Sequence, residues 1–354
     1  MAQLNLARFE TDDRLTRLAR YQPGEGTATN PAPGSLPSSP TPKRSRLLLP
    51  SIYVVIGLIL LIGASDRFVE SAVRLARALG VSVVLIGALV VGLGTSLPEL
   101  LVSTIASVDG KIDVAMANVT GSNAANVSLV LGAAAILVPI RSRTRILQRE
   151  GLLMLTSVVV LGAVLWDFKV SRIEGAALVA GMVVALVLLV RWSATDIDGI
   201  VEMSEDDVAY SVTGEVLIGG AALIITVFAA RLLLSGALDL GEHFGLNQAF
   251  LGVLLGVGTS LPELATGLAA ARRHESDLVL GNVLGSNLFN SLAVAGTAGL
   301  VGPGALLYLT RPSIALMVAV IAIAGWFAWN DKKVTRLEGF VLLVVFVAFT
   351  ALNY

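Results

Sequence analysis

The sequence predicts an all-α polytopic membrane protein with ten transmembrane helices, arranged as two inverted five-helix repeats with broken helices around a midplane ion site. The first observation is composition: the 354 residues are 55% hydrophobic and 14% charged, whereas soluble domains are about one quarter charged. The second is a set of ten apolar segments near the roughly 20 residues that cross a bilayer. The third is a heptapeptide, GTSLPEL, that occurs at 94–100 and again at 258–264. Such a repeat indicates duplication of a structural unit.

The chain before the first apolar segment, residues 1–47, is predicted to be a disordered tail. Residues 1–50 hold seven of the twelve prolines and lack a sustained apolar period. The predicted spans lie near 48–66, 82–107, 112–138, 150–167, 173–191, 213–235, 248–271, 277–301, 312–329 and 336–353, and the first is expected to continue as an amphipathic helix through Arg74 and Arg77.

The ten spans divide into a first repeat at 48–191 and a second at 213–354. An acidic linker at 192–212 joins them. A solvated loop is the simpler interpretation of this linker, and a regulatory cation-binding loop is the alternative. Since five spans per repeat is an odd number, the second repeat crosses the membrane in the opposite direction to the first.

Lys and Arg collect in cytoplasmic loops, and this bias predicts the orientation. With the N-terminus outside, most loop cations lie inside, and both termini are expected on the outer side of the bacterial inner membrane. The inside cations include a cluster at Arg141, Arg143, Arg145 and Arg149. This cluster is explained by topology alone, or by binding of anionic membrane lipid.

Two acids, Glu99 and Glu263, lie inside predicted spans at matching positions of the repeats. Inverted repeats bring such positions together near the bilayer midplane, where transporters bind their ions. A lone carboxylate there costs at least about 2.5 to 3.5 kcal/mol, so the pair needs a cation, a proton or a water-filled cavity. An ion pair with Arg67 or Arg231 is the structural alternative, although both arginines lie at span ends where they can reach water.

The residues around the two acids offer only oxygen ligands, which suit Na⁺ or Ca²⁺ and not soft metals. Thr95 precedes Glu99 by four residues and therefore shares its helix face. Pro98 has no N–H to donate to the preceding turn, so a backbone carbonyl is released beside the acid. The candidate ligands with the two acids are Thr95, Ser96, Ser122 and Asn126 in the first repeat and Thr259, Ser260, Ser286 and Asn290 in the second.

The doubled GTSLPE and GSNxxN segments resemble the α-repeats of the cation/calcium exchanger superfamily, specifically the prokaryotic sodium/calcium exchangers. The similarity covers residues 48–354. It implies the ligands given above and adds the backbone carbonyls of Gly92 and Gly256. One departure is Asn290, where several family members carry Asp. The site then holds two formal negative charges, enough to neutralise one Ca²⁺, two Na⁺ or two H⁺.

The predicted function is secondary active antiport of Ca²⁺ against Na⁺ by alternating access. Both ions need the same two carboxylates, and the empty, charged site is too costly to pass through a dehydrated closed state. The resemblance implies that the first and sixth spans slide against a core formed by the second, third, seventh and eighth.

Other functions remain as alternatives. H⁺ is the alternative counter-ion, because either Glu can take up a proton, and K⁺ is a further candidate ion. A cation channel with the same ligands is the lower alternative. An intramembrane hydrolase using Ser96 or Ser260 would need a general base, and neither motif contains a His. No enzymatic activity, cofactor or nucleic-acid partner is predicted, and a monomer is expected to suffice.

Overall fold

The computed structural model describes residues 45–193, 211–246, 257–307 and 309–353. Almost all of the predicted tail, most of the acidic linker and the candidate ligand Gly256 lie outside these ranges. Within them the protein is mostly helical. Seven helices are long and apolar enough to cross a membrane, or eight if one bent pair is counted as a single span. The predicted multi-pass membrane class is therefore confirmed, while the count of ten spans stays a prediction.

The helices of the described ranges follow the predicted spans, and two of them, separated by a break, share the second span. They are α1 Ser45–Leu79, α2 Val83–Thr95, α3 Leu97–Val108, α4 Ile112–Leu137, α5 Thr144–Leu165, α6 Arg172–Ser193, α7 Val212–His243, α8 Leu261–Arg272, α9 Ser276–Val301, α10 Arg311–Asn330 and α11 Arg336–Asn353. As predicted, α1 continues well beyond its apolar segment. Its 35 residues span about 52 Å at 1.5 Å per residue, which exceeds the roughly 30 Å hydrocarbon layer.

The helix breaks before the two acids have the same local cause in both halves. Between α2 and α3 the axis bends by 43°, and Ser96 at the bend has φ −87° and ψ 5°. Pro98 follows in the first turn of α3, where a missing N–H is tolerated. Ser260, with φ −90° and ψ 10°, and Pro262 begin α8 in the same way. The predicted breaks are therefore present.

Four short strands in the loops connect the two halves. β1, Ile140–Arg141, pairs antiparallel with β4, Lys333–Val334, and β2, Lys169–Val170, pairs antiparallel with β3, Gly304–Ala305. The two acids are 164 residues apart, 263 minus 99. Adding this offset to position 140 of β1 gives position 304 of β3, and adding it to position 170 of β2 gives position 334 of β4. One strand pair is thus the repeat-related copy of the other. Strands of two residues carry no periodic pattern, so the sequence did not predict them.

α4 and α9 form the buried centre of the molecule. Within the most apolar 18-residue stretch of each helix, 78% of the residues of α4 and 89% of those of α9 are buried, against 22% for α1 and 28% for α7. Helix α9 packs closely on α2, because a Cβ added at Gly281 would lie 2.6 Å from the carbonyl oxygen of Val84. Each central helix also contacts the final helix of the other half. Gly132 of α4 meets Gly339 of α11, and Gly296 of α9 meets Gly175 of α6.

The long helices α1 and α7 pack against each other at the periphery. A Cβ at Gly57 of α1 would lie 2.7 Å from the backbone nitrogen of Leu233, and one at Gly236 of α7 would lie 2.6 Å from the carbonyl oxygen of Pro50. The two backbones are therefore in direct contact at two levels, and we refer to these helices as the α1–α7 pair.

Candidate ion-binding site

The two predicted acids lie in the first turns of α3 and α8, directly after the helix breaks. Both are buried: Glu99 is 0% and Glu263 is 1% exposed. The hydroxyl of Ser96, which precedes Glu99 by three residues, donates to Oε1 of Glu263 at 2.8 Å. The structure thus brings Ser96 of the first motif into direct contact with Glu263 of the second. The N-terminal end of a helix also favours negative charge, which helps a buried carboxylate to stay there.

Many polar atoms of the candidate ligands have no hydrogen-bond partner among the described residues, although buried polar groups are normally paired. Seven of these atoms are oxygens. They are both carboxylate oxygens of Glu99, Oε2 of Glu263, the hydroxyls of Ser122 and Ser260, and the amide oxygens of Asn126 and Asn290. All of these residues are buried. The set therefore combines two negative charges with neutral oxygens that the protein itself does not satisfy.

The remaining candidate ligands in the described ranges either make hydrogen bonds within the protein or are less buried. Thr95 is buried and donates to the carbonyl oxygen of Val91 at 2.9 Å. The hydroxyl of Ser286 in α9 donates to the carbonyl oxygen of Gly92 in α2 at 3.1 Å. Two predicted ligand groups from opposite halves therefore contact each other. Thr259, the counterpart of Thr95, is only half-buried.

Asn126 and Asn290 each begin a π-helical segment, Asn126–Leu131 in α4 and Asn290–Val294 in α9. A π-helical turn widens the helix locally and is frequent at functional sites. The sequence analysis identified both asparagines but did not predict this change of helix geometry beside them.

Asn282 supports the site although it was not among the candidate ligands. Its Nδ2 donates to the carbonyl oxygen of Glu263 at 3.1 Å and to the hydroxyl of Thr266 at 3.3 Å. Its counterpart Asn118 donates instead to Ser103 at 3.1 Å. The signal was present in the sequence, since both asparagines begin the second polar cluster of their repeat.

Neither candidate arginine forms an ion pair with the site. Arg67 pairs with Glu70 of its own helix at 3.0 Å. Arg231 is exposed on α7, and neither carboxylate oxygen of Glu99 has a hydrogen-bond partner among the described residues. In the described ranges, no three His, Asp or Glu side chains group as a metal cluster. A cation at this place would therefore depend on two carboxylates and on neutral oxygens.

Comparisons with known proteins agree with this architecture. The sodium/calcium exchanger protein family model matches residues 50–191 and 215–354. The putative antiporter CaxA of Alkalimonas amylolytica is 36% identical over 320 residues, which cover 87% of this chain and 99% of the relative. The sodium/calcium exchanger MaX1 of Methanosarcina acetivorans is 32% identical over 347 residues, covering 84% and 96%.

A solved structure of the sodium-calcium exchanger NCX_Mj, soaked with Na⁺ and Sr²⁺, has a TM-score of 0.75 and 30% identity. The match covers 86% of this chain and 99% of that one. The fold, the doubled motifs and the family match lead to one conclusion: this chain belongs to the sodium/calcium exchanger family.

Proposed function

We propose that the chain exchanges Ca²⁺ for Na⁺ at a single site shared by Glu99 and Glu263. Membership of the family supports Ca²⁺ antiport as the general activity. One observation carries the finer proposal: two buried carboxylates, one from each half, keep three of their four oxygens without a hydrogen-bond partner among the described residues.

The chemistry of the unpartnered oxygens suits Ca²⁺. This ion takes six to eight oxygen ligands, including carboxylates, amide oxygens and water, and the candidate residues offer seven unpartnered oxygens. An ionised carboxylate at membrane depth costs at least about 2.5 to 3.5 kcal/mol without a cation. Bound cations would remove this cost, and so permit the closed intermediate of a transport cycle.

The count of acids supports an exchange of one Ca²⁺ for two monovalent cations. The five helices α2, α3, α4, α8 and α9 contain four acids, and residues 247–256 contain none. Two of the four begin helices and have partners in the loops. Asp113 accepts from the backbone N–H of Leu307 at 2.5 Å, and Asp277 pairs with Arg143. Only Glu99 and Glu263 are left to carry charge at the site.

Alternating access follows if both ions need the same two carboxylates. We place ten spans in two inverted repeats with both termini outside. The strand pairs and glycine contacts that repeat at the 164-residue offset, 263 minus 99, support this arrangement. The α1–α7 pair would slide as a unit along the core that holds the site. Both helices exceed the bilayer thickness, so they can shift without withdrawing polar ends into the lipid.

The test is Ca²⁺ uptake by the purified chain in liposomes under an imposed Na⁺ gradient at fixed pH. We expect Glu99→Gln and Glu263→Gln to abolish uptake. The matched controls are Glu174→Gln and Glu338→Gln, which are related by the same offset. Each control residue accepts bonds at a helix start, from Ser171 and Thr335 respectively, and Gln can still accept them. Retained exchange in either site variant would overturn the shared site.

The same liposomes separate the alternatives. Uptake driven by a pH gradient but not by Na⁺ would make H⁺ the counter-ion at the same two carboxylates. Ca²⁺ flux that continues with no opposing cation would indicate a channel and would overturn antiport by this site.

A further inference from the structure

We infer that a one-sided group of ion pairs connects the α1–α7 pair to the ion-binding core and stabilises one of the two access states. The inference rests on the alternating access proposed above. We call this group the ionic latch, and its members are Asp66, Glu70 and Arg74 of α1, Glu215 of α7, and Arg273 directly after α8.

Arg273 provides the contact between the core and α1. Its Nε donates to Oδ1 of Asp66 at 2.9 Å, and its terminal nitrogen donates to Oδ2 at 2.6 Å. The same nitrogen lies 3.4 Å from Oε2 of Glu70. A two-point contact between a guanidinium and a carboxylate fixes geometry better than a single hydrogen bond does. Sliding of α1 along α8 would have to break it.

Glu70 and Arg74 extend the latch to α7. Glu70 pairs with Arg67 at 3.0 Å and also with Arg74. Arg74 in turn lies 3.4 Å from Oε1 of Glu215, whose side chain is only 7% exposed. The latch thus joins α1 to α7 and both of them to the end of α8. Because the two helices are already in backbone contact, a restraint on α1 also restrains α7.

The repeat has no second copy of this latch. Offset by the same 164 residues, 263 minus 99, the positions matching Asp66, Glu70, Arg74 and Arg273 are Ala230, Leu234, Leu238 and Asp109. These residues cannot form the corresponding ion pairs at the opposite end. Two identical inverted repeats would give the two access states equal free energies. A latch at one end adds stability to one state only, and so shifts the equilibrium between them.

The surroundings of the latch make it reversible. A polar cavity of about 360 Å³ lies beside it, and Glu70, Val73, Arg74 and Arg273 are among the lining residues. Partly exposed ion pairs contribute little each, because water competes for them. The arginine-rich loops at this end are expected on the cytoplasmic side. The latched state would therefore be closed toward the cytoplasm.

Labelling of single cysteines tests the inference, since the natural chain contains no cysteine. Val73→Cys lies in the cavity beside the latch, and Ala237→Cys is the matched position at the other end. The purified, full-length chain in detergent is treated with a water-soluble maleimide. Adding Arg273→Gln should speed labelling at 73 and slow it at 237, each by about two- to fivefold, as expected for the loss of a partly exposed pair.

The neighbouring arginine gives the control. Arg272→Gln removes the same charge one residue earlier but breaks no hydrogen bond to Asp66, so it should change both rates much less than Arg273→Gln does. Asp66→Asn breaks the contact from the α1 side and should act as Arg273→Gln does. The exchanged pair Asp66→Arg with Arg273→Asp should move both rates back toward those of the natural chain.

Three results would overturn the latch. The first is an equal effect of the Arg272 and Arg273 variants on the labelling rates. The second is faster labelling at both ends, which would indicate general loosening of the protein. The third is a changed labelling rate at position 73 alone, which would indicate local opening. Labelling does not depend on transport, so the two proposals fail separately. Unchanged labelling with exchange still abolished by Glu99→Gln would remove the latch and leave the ion site.

Discussion

Replacing Gly281 by Ala is the most informative test of the packing that positions the site. The first repeat carries Ala117 at the matching position, so the sequence alone indicates that Ala is acceptable. The contacts indicate the opposite. Ala117 is exposed, whereas a Cβ at Gly281 would lie 2.6 Å from the carbonyl oxygen of Val84 and 2.8 Å from Cα of Gly87. Both neighbours are backbone atoms and cannot rotate away.

The expected cost follows from this overlap. A carbon and a carbonyl oxygen approach to about 3.3 Å at closest, so α2 and α9 must separate by roughly 0.7 Å. Overpacking of this kind costs about 1 to 3 kcal/mol, and the better helix propensity of Ala returns up to about 1 kcal/mol. We expect a net loss of about 1 kcal/mol and a melting temperature lower by about 2 °C. The hydrogen bond of 3.1 Å from Ser286 to Gly92 would lengthen beyond its useful range, so exchange should slow as well.

Thermal unfolding of the detergent-purified variant, followed by tryptophan fluorescence, measures the loss. Gly220→Ala is the control, because Gly220 is exposed on α7 and an added Cβ there meets nothing within 4 Å. That variant should match or slightly exceed the stability of the natural chain. A Gly281→Ala protein with natural stability and natural exchange would refute the close approach of α2 and α9.

Three further predictions concern charge and ligand binding. Asn290→Asp adds a third carboxylate, so three monovalent cations should be needed to balance the charge of the site. Ca²⁺ uptake driven by Na⁺ should then become sensitive to an imposed membrane potential. Equal sensitivity in the natural chain and the variant would contradict the acid count. Ca²⁺ at 100 times its dissociation constant should stabilise the natural chain by about 2.7 kcal/mol, and an equal rise in the melting temperature of Glu263→Gln would place Ca²⁺ elsewhere. Burial raises the pKa of Glu275 above its usual value of 4.5, so its ionised form destabilises the fold at neutral pH. Glu275→Gln should therefore raise the melting temperature at pH 7. This gain should shrink as the pH falls and vanish below pH 4.5, where the carboxyl group is protonated in both the folded and the unfolded state. A gain that does not depend on pH would show another cause.

Duplication made the central part of the site predictable. Glu99 and Glu263 occupy matching positions in two related units, so a symmetry axis near the bilayer midplane predicts that they lie close together. The bond from Ser96 to Glu263 now shows that residues of the two motifs meet. The helix breaks were equally predictable, because Pro98 and Pro262 lack the N–H that a continuous helix requires.

Departures from symmetry could not be predicted in this way. Ser96 has a bond to the opposite acid, whereas the hydroxyl of its counterpart Ser260 has no partner among the described residues. The π-helical turns at Asn126 and Asn290 depend on how each helix packs, and local sequence does not specify this. Asp66 and Arg273 are 207 residues apart and have no repeat-related copy, so no pattern in the chain connects them.

The contacts between Gly132 and Gly339 and between Gly175 and Gly296 have a consequence for biosynthesis. Helix α4 leaves the ribosome early, yet the helix that covers it, α11, is translated after every other described helix. Until α11 is made, Ser122 and Asn126 of α4 lie in the bilayer without the neighbouring helix that covers α4 in the folded protein. The first half therefore reaches its final packing only after α11 has been made.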